Sequence, residues 1–150
     1  MTEHTAGRLV TDGAEVARIA QEAKRVAVLG IKTERQFDQA AYYVPEYLQQ
    51  AGVEVVPVPV YYPAVSEILG QKVYRKLAEV PGTVDILDVF RRPEDLLPHL
   101  DDVLAMHPRV VWLQSGIRHA EFAQQLVAAG IDVVQDHCLM VEHRRGVGSR

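Results

Sequence analysis

Five short apolar runs, separated by segments with a helical pattern, constrain the fold of this chain more than any other feature. They occupy residues 25–30, 53–58, 84–90, 109–114 and 131–135, and they are rich in Val and Ile. Runs of this length and composition are typical of β-strands. The almost continuous apolar character of VEVVPV and RVVWLQ indicates strands that are buried on both faces, as in a parallel sheet.

Helical patterns occupy the intervals between these predicted strands. Asp12 can cap a short helix before the first strand, and the other predicted helices cover residues 40–51, 75–80, 93–106 and 119–129. Strands that alternate with helices imply parallel pairing through right-handed crossovers. We therefore predict an α/β fold, a doubly wound, Rossmann-like sheet of about five parallel strands with helices on both faces.

Length and charge limit the classes of function. The chain has 150 residues, and we expect a single domain over residues 1–150 with frayed ends at about 1–11 and 144–150. A formal net charge of -4 disfavours a nucleic-acid partner, which requires clustered cations. With one cysteine and no signal-peptide pattern at its start, the protein is predicted to be cytoplasmic. No apolar run approaches the roughly 20 residues of a membrane-spanning helix, so no membrane partner is expected.

The loops after the predicted strands are the candidate ligand site, because doubly wound sheets bind ligands outside the carboxyl ends of their strands. These loops cover residues 30–39, 57–66, 91–92, 114–118 and 136–138. Their phosphate-binding or aromatic residue types are Lys32, Thr33, Arg35, Tyr61, Tyr62, Arg91, Arg92 and Arg118. In an acidic chain this distribution indicates a site for a specific anion, although ordinary polar loops would have a similar composition.

The first of these loops argues against a nicotinamide cofactor. The segment VAVLGIKTERQ contains one glycine, Gly30, where the dinucleotide motif G-x-G-x-x-G requires more. The second predicted strand ends in PVPV, without the acidic residue that binds the ribose of NAD. An NAD-type oxidoreductase is therefore a less favoured function for this chain.

Four segments share their order and spacing with a known family. They are RVAVLGIKTERQ, EILGQKVYRKLAEVPGTVDILDVFRRPED, VVWLQSGIRHAEFAQQL and AAGIDVVQDHCLMVEH. Their most specific parts are I-L-G-x-K-x-Y at residues 68–74, D-x-F-R-R-P at 88–93 and W-x-Q-x-G at 112–116. Over residues 12–143 the chain resembles the small stand-alone coenzyme A-binding proteins, which are similar to the CoA-binding domain of succinyl-CoA ligases. The resemblance implies a Rossmann-type fold that binds coenzyme A or an acyl-CoA.

The resemblance also implies which residues meet each part of the ligand. The adenine would lie against Val58, Tyr62 and Pro63, and the ribose 3′-phosphate would meet Lys72. Backbone N–H groups, a helix N-terminus and cations would bind the pyrophosphate in the loop that contains Gly30, Ile31, Lys32, Thr33, Arg35 and Gln36. The phosphates and the pantetheine arm would lie along Phe90, Arg91, Arg92, Gln114, Gly116 and Ile117.

Several of these assignments have alternatives. The second predicted strand is followed by a longer loop than in many relatives, VPVYYP, so the contacts of residues 61–63 stay open. Glu34 would oppose a pyrophosphate unless it faces solvent. Arg91 and Arg92 are alternatively helix-capping or surface-paired residues.

Pro45 constrains where the helix after the first strand begins. If the phosphate loop extends to about Ala40, Pro45 lies in or just after the first helical turn, where a missing N–H costs little. A helix that began near Gln36 would instead be kinked at Pro45.

No catalytic motif accompanies the candidate loops. The segment LQSGI is not a G-x-S-x-G nucleophile elbow, and no P-loop sequence occurs. The ligases carry their phosphorylated histidine on a second domain, which the resemblance does not extend to. We therefore predict a CoA-binding protein without catalysis of its own, with a small-molecule ligand as partner and a homodimer left open. The alternative is a CoA-binding subunit of a ligase- or transferase-like enzyme that needs a partner chain.

The segment QDHCLMVEH gathers potential metal ligands and catalytic groups at Asp136, His137, Cys138, Glu142 and His143. Their spacing matches no strong zinc pattern, so no metal site is predicted. A catalytic Cys–His pair and a buried thiol at a strand end are the alternatives. A third hypothesis follows from the resemblance: Cys138 lies on the ligand rim and its sulfur can form a mixed disulfide with coenzyme A.

Overall fold

The computed structural model describes residues 6–148, with side chains described up to Arg145. Its α-helices are α1 Gly13–Glu22, α2 Ala40–Gln50, α3 Leu100–Met106, α4 Ala120–Ala128 and α5 Leu139–Gly148. Its strands are β1 Arg25–Leu29, β2 Glu54–Val58, β3 Glu67–Ile68, β4 Gln71–Lys72, β5 Ile86–Val89, β6 Val110–Leu113 and β7 Asp132–Val134.

Five of the strands form one parallel sheet in the order β2-β1-β5-β6-β7. The chain passes from β1 outward to β2, returns to β5 on the other side of β1, and continues to β6 and β7. The strand order therefore reverses between β1 and β5, which is where doubly wound sheets bind ligands. This topology confirms the predicted α/β fold with its parallel sheet.

Helices cover both faces of this sheet. Successive side chains of a strand point to opposite faces, and two apolar clusters form accordingly. On one face Leu87 of β5 packs in a cluster with Val103 of α3 and Phe122 of α4. On the other face Val28 of β1 belongs to a cluster with Val16 of α1 and residues of α2 and α5. The helical layers leave the carboxyl edge of the sheet as the place where several loops meet.

None of the helices within residues 6–148 combines the length and the apolar character needed to cross a membrane.

The predicted helix at residues 93–106 is shorter than expected. It begins as two 3-10 turns, Pro93–Asp95 and Leu97–His99, and only α3 is α-helical. Pro98 has no N–H to donate to the carbonyl of the preceding turn, so regular α-helical hydrogen bonding cannot pass through it.

The predicted helix at residues 75–80 is also wrong, because it is reduced to a single 3-10 turn, Leu77–Glu79. The Asp102 carboxylate of α3 accepts the N–H groups of Leu77 and Ala78 at 2.7 and 3.0 Å. The Asp102 carboxylate thus caps the N-terminus of this turn, whose first N–H groups have no acceptor within it. The short hairpin of β3 and β4, just before this turn, was not predicted either.

Residues near both ends of the described part of the chain have regular contacts with the sheet and the helices. Leu9 forms a parallel bridge with Val133 of β7, and the Val10 N–H donates to the Val133 carbonyl at 2.8 Å. At the other end α5 continues to Gly148 and packs against α1. Residues 7–10 are thus hydrogen-bonded to the body of the fold and residues 144–148 are helical, whereas residues 1–5 and 149–150 lie outside the described residues.

Candidate ligand-binding site

Two cavities lie at the carboxyl edge of the sheet, on either side of the β1–α2 loop, residues 30–39. The hairpin cavity, of about 690 Å³, lies between this loop and the β3–β4 hairpin, and its lining includes Thr33, Tyr62 and Leu69. The strand-end cavity, of about 570 Å³, is lined by residues that follow β1, β5, β6 and β7, among them Lys32 and Gln114. Adjacent residues of one loop, Lys32 and Thr33, therefore face different cavities.

Most of the predicted site residues line one of these cavities. The hairpin cavity includes Thr33, Arg35, Gln36 and Tyr62. The strand-end cavity includes Lys32, Phe90, Arg91, Arg92, Gln114, Gly116 and Ile117. The residues that line neither are Gly30, Ile31, Val58, Pro63 and Lys72.

Three of these non-lining residues have a role in the packing of the fold. Ile31 and Val58 are each 1% exposed, so their side chains are part of the core and are unavailable to a ligand. Gly30 has φ +85°, and a Cβ at this position would lie 2.5 Å from the carbonyl oxygen of Phe90. The glycine thus allows the end of β1 to pass close to the end of β5.

The backbone of the β1–α2 loop is largely committed to contacts within the protein. The Gly30 N–H donates to the Val58 carbonyl at 2.9 Å, and the Lys32 N–H donates to the Ala41 carbonyl at 3.1 Å. Gln36 Oε1 accepts from both the N–H and the hydroxyl of Thr33, at 3.0 and 2.7 Å, as in a capping box. The N–H groups of Gly30, Lys32 and Thr33 are therefore already paired within the protein.

The N-terminus of α2 offers a different set of donors. Ala40 and Ala41 line the strand-end cavity together with Gln39 and Lys32. The first N–H groups of a helix have no acceptor within that helix, and the helix dipole makes this end electropositive. The Lys32 ammonium group is held beside it by a hydrogen bond to the Gln39 side chain. This end of the strand-end cavity is therefore suited to an anion.

Arg91 and Arg92 have different environments, although both line the strand-end cavity. The Arg91 side chain is 15% exposed, and its Nε donates to His99 Nε2 at 3.2 Å. Burial and the Arg91 charge lower the pKa of His99, which favours the neutral form that can accept this hydrogen bond. The Arg92 side chain is 74% exposed and pairs with Asp95 at 2.9 Å. Arg91 is thus held in the cavity wall, whereas Arg92 is a surface-paired residue.

The hairpin cavity is walled by the β3–β4 hairpin. Leu69 and Gly70 have φ +55° and +73° and form the two-residue turn, which requires positive φ at both positions in a type I′ geometry. Gln49 of α2 donates to the Leu69 carbonyl at 2.8 Å and fixes the turn against the helix. Lys72 stands opposite Glu67 in the hairpin register, and Glu67 lines the cavity. Lys72 therefore lies beside the hairpin cavity, with its ammonium group 5.1 Å from the ring centroid of Tyr74.

A buried polar chain fixes the floor of the strand-end cavity. Asp88 of β5 is 0% exposed, and its Oδ2 accepts from Gln114 Nε2 at 3.1 Å. Gln114 Oε1 in turn accepts from the N–H of Leu139, the first residue of α5, at 3.2 Å. Burial raises the pKa of Asp88 well above its ordinary value. This series of hydrogen bonds sets the orientation of the Gln114 amide and links it to the start of α5.

The segment QDHCLMVEH is divided between the site and the core. Cys138 is partly buried and lines the strand-end cavity, whereas Glu142 and His143 are buried on α5. The Asp136 carboxylate accepts from the Gly116 N–H at 2.6 Å, and this hydrogen bond lowers the pKa of Asp136. Within the described part of the chain, no group of three or more His, Cys, Asp or Glu side chains is placed to hold a metal ion.

The sequence analysis did not place several residues near these cavities in the site; the tyrosine pair at 42–43 was interpreted as packing residues rather than as a base-stacking platform. Tyr42 lines the hairpin cavity and Tyr43 the strand-end cavity, because they are adjacent residues in the first turn of α2. Burial raises the pKa of Tyr42. Arg75 was also missed, although it hydrogen-bonds the loop that carries Tyr62. Its position next to the I-L-G-x-K-x-Y block was the signal available in the sequence.

Comparisons with known proteins agree with this architecture. The family model described as CoA binding domain matches residues 24–144. The uncharacterised protein YneT of Bacillus subtilis (strain 168) is 36% identical over 130 residues, which is 87% of this chain and 93% of that protein. The solved structure of cell-free ID.343 from Thermus thermophilus is 45% identical, with a TM-score of 0.80 over 90% of this chain and 98% of that one.

The fold also occurs as part of a larger enzyme. The apo form of acetyl-coenzyme A synthetase 1 from Ca. Korarchaeum cryptofilum matches with a TM-score of 0.65 at 20% identity, over 81% of this chain and 27% of that one. At this identity the likeness is one of fold. The family model, by contrast, extends from the residue before β1 into α5 and so contains the whole parallel sheet and both cavities. The chain therefore belongs to the CoA binding domain family.

Proposed function

We propose that the protein binds coenzyme A, or an acyl-CoA, in an extended form that crosses the β1–α2 loop. The nucleotide occupies the hairpin cavity, and the pantetheine arm occupies the strand-end cavity. The main support for this proposal is that two cavities, of about 690 and 570 Å³, lie on either side of the β1–α2 loop, beside the N-terminus of α2. Coenzyme A has the matching order of parts: a nucleotide, a diphosphate and an uncharged arm.

The hairpin cavity suits an adenosine 3′-phosphate. Tyr42 and Tyr62 offer aromatic rings, and Ile68 is one of the aliphatic residues in the same lining. A purine ring gains from apolar contact and from stacking with such side chains. Arg35 in the lining and Lys72 beside it supply positive charge for the 3′-phosphate.

The diphosphate is assigned to the N-terminus of α2. Lys32 and the first N–H groups of this helix face the strand-end cavity, as described above. Helix N-termini bind phosphate groups because free N–H donors and the helix dipole act together. Glu34 does not line the strand-end cavity; it is an exposed residue of the hairpin cavity, where Arg35 and Lys72 would have to outweigh its charge beside the 3′-phosphate.

The pantetheine arm is assigned to the rest of the strand-end cavity. Phe90 and Ile117 give this cavity apolar walls, and Gln114 gives it an amide that can pair with the amides of the arm. Cys138 lines the same cavity, at the start of α5. The thiol end of the ligand therefore points toward the region of Cys138.

Binding without catalysis agrees with the groups in these cavities. Catalytic cysteines in acyl transfer are commonly activated by a base within hydrogen-bonding reach. His137, next to Cys138 in sequence, instead has its Nδ1 3.8 Å from the Glu142 carboxylate. Cys138 and His137 are therefore not proposed as a nucleophile–base pair, and acyl-transfer chemistry is left to a partner chain.

The test is the identity of small molecules released from freshly purified protein, followed by calorimetric titration with coenzyme A, acetyl-CoA and NAD. We expect coenzyme A or an acyl-CoA to be released and to bind tightly, with affinity that falls as salt rises because the phosphate contacts are ionic. Absence of binding by both CoA compounds would refute the proposal, and preferential binding of NAD would favour an oxidoreductase. Acyl-CoA turnover that appears only with a copurifying second chain would identify the protein as an enzyme subunit.

A further inference from the structure

The tyrosine loop, residues 61–65 between β2 and β3, has a strained conformation. Tyr62 has φ +64°, a region that non-glycine residues seldom occupy. The Tyr62 carbonyl accepts the N–H of Val65 at 3.0 Å, which closes a β-turn with Pro63 at its second position. Strained backbone persists where surrounding contacts hold it, and it is common at ligand sites.

Arg75 supplies those contacts. Its guanidinium group donates to the carbonyl oxygens of Tyr61, Tyr62 and Val65 at 3.0, 2.7 and 2.7 Å. All three acceptors are neutral, so these contacts do not cancel the positive charge of Arg75. The arginine itself is anchored, because the N–H of Tyr74, the residue before it, donates to the Pro57 carbonyl of β2 at 3.0 Å.

The tyrosine loop connects the two cavities of the proposed site. The Tyr62 side chain lines the hairpin cavity. The Tyr61 hydroxyl lies 3.4 Å from Arg91 Nη1, and the Arg91 guanidinium carbon lies 5.8 Å from the Tyr61 ring centroid. The two tyrosine rings are in edge-to-face contact, with centroids 6.3 Å apart. The position of the tyrosine loop therefore sets the aromatic wall that Tyr62 gives the hairpin cavity. It also sets the contact of Tyr61 with Arg91, which lines the strand-end cavity.

We propose that Arg75 is a positioning residue for the nucleotide part of the ligand. It lines neither cavity and acts through the tyrosine loop, which it holds in the conformation that places Tyr62 against the nucleotide. Lysine cannot replace it, because a single ammonium group cannot reproduce the planar, forked geometry that serves three carbonyls. This inference rests on the proposed binding of coenzyme A.

The experiment compares Arg75→Lys and Arg75→Ala with the wild type by calorimetry, using ligands that represent the two halves. Adenosine 3′,5′-bisphosphate stands for the nucleotide, and 4′-phosphopantetheine stands for the arm. We expect both variants to bind coenzyme A and the bisphosphate roughly tenfold or more weakly, because the charge-assisted hydrogen bonds that hold the loop are lost. Binding of phosphopantetheine should change by less than about twofold.

Arg109→Lys is the matched control. Arg109 lies just before β6, at the amino edge of the sheet, and its side chain is 73% exposed. The Arg109→Lys variant should bind every ligand with the affinity of the wild type. Thermal unfolding and hydrogen exchange of the sheet amides check that the Arg75 variants remain folded. If Arg75→Ala does not fold, the comparison uses Arg75→Lys alone.

The outcomes separate this inference from the proposed function. If the wild type binds none of the CoA ligands, the proposed function fails. If the wild type binds them and Arg75→Lys binds coenzyme A and the bisphosphate with unchanged affinity, only the proposed role of Arg75 is refuted. An equal loss for both half-ligands would also overturn it, because that pattern indicates general destabilisation rather than a displaced nucleotide wall.

Discussion

The backbone N–H of Lys32 donates to the carbonyl oxygen of Ala41 at 3.1 Å, and Pro45 leaves that carbonyl without its usual helical donor. In an α-helix each carbonyl accepts the N–H four residues later, and proline has no N–H. The gap in the hydrogen bonding of α2 is thus used to attach the β1–α2 loop to the helix. Lys32, whose side chain faces the proposed diphosphate site, is positioned by this attachment.

Restoring the missing donor with Pro45→Ala tests this relationship. The new N–H would compete with Lys32 for the Ala41 carbonyl, and we expect coenzyme A to bind about three- to tenfold more weakly, the range of one hydrogen bond. The weakening should be partial because a carbonyl oxygen can accept two hydrogen bonds. Thermal stability should change little, since the better helix propensity of alanine offsets the packing lost from the buried Pro45 side chain. Calorimetry and exchange of the Lys32 amide measure both effects, and unchanged protection of that amide would contradict the relationship.

The paired substitution Lys32→Ala with Arg35→Ala tests the ionic part of the site. We expect the affinity for coenzyme A to fall roughly tenfold or more, without loss of folding, because charge-assisted contacts to phosphate are removed. The salt dependence of binding should become shallower. Lys24→Ala with Arg109→Ala, at the amino edge of the sheet, is the control of equal charge. Equal affinities of the two double variants would remove Lys32 and Arg35 from the site.

Asp88→Asn tests the buried carboxyl group. Because burial raises the pKa of Asp88, the native state keeps a proton that the unfolded chain loses above the ordinary aspartate pKa. The stability contributed by Asp88 is therefore complete at acid pH and decreases as pH rises from that value toward the raised pKa. Asparagine does not titrate, so the variant should gain roughly 2–4 °C in Tm at neutral pH and nearly nothing near pH 4. Denaturation followed between pH 4 and pH 8 measures this, and a pH-independent difference would contradict it.

A disulfide-exchange reaction at Cys138 tests whether the thiol end of coenzyme A lies near this residue. If the thiol end of coenzyme A points toward Cys138, incubation with the symmetrical disulfide of coenzyme A should give a protein–CoA mixed disulfide. The Cys138 thiolate attacks one sulfur of that disulfide, and one coenzyme A thiolate leaves. Intact mass should show the adduct on the wild type and none on Cys138→Ser. Glutathione disulfide should react more slowly because it lacks the nucleotide, and absence of a CoA adduct on the wild type would end the hypothesis.

The local sequence pattern was sufficient to predict the class of fold and to nominate the edge of the sheet for a ligand. Apolar runs of strand length that alternate with helical patterns leave few ways to bury both faces, so the parallel sheet followed from local pattern. The loops after those strands then had to meet at the carboxyl edge. Lys32, Arg91 and Gln114 could be proposed as site residues for this reason, and the structure places all three in one cavity.

The construction of the candidate site depends on contacts between distant segments. The pairing of residues 7–10 with β7 and the contact of Asp102 with Leu77 depend on partners far away in the chain, which no local pattern reveals. For the same reason the sequence did not show that Ile31 and Val58 are core residues or that Arg75 holds the tyrosine loop. Hydrogen-bond geometry between distant segments settles such roles, whereas periodicity reports only which face of an element is buried.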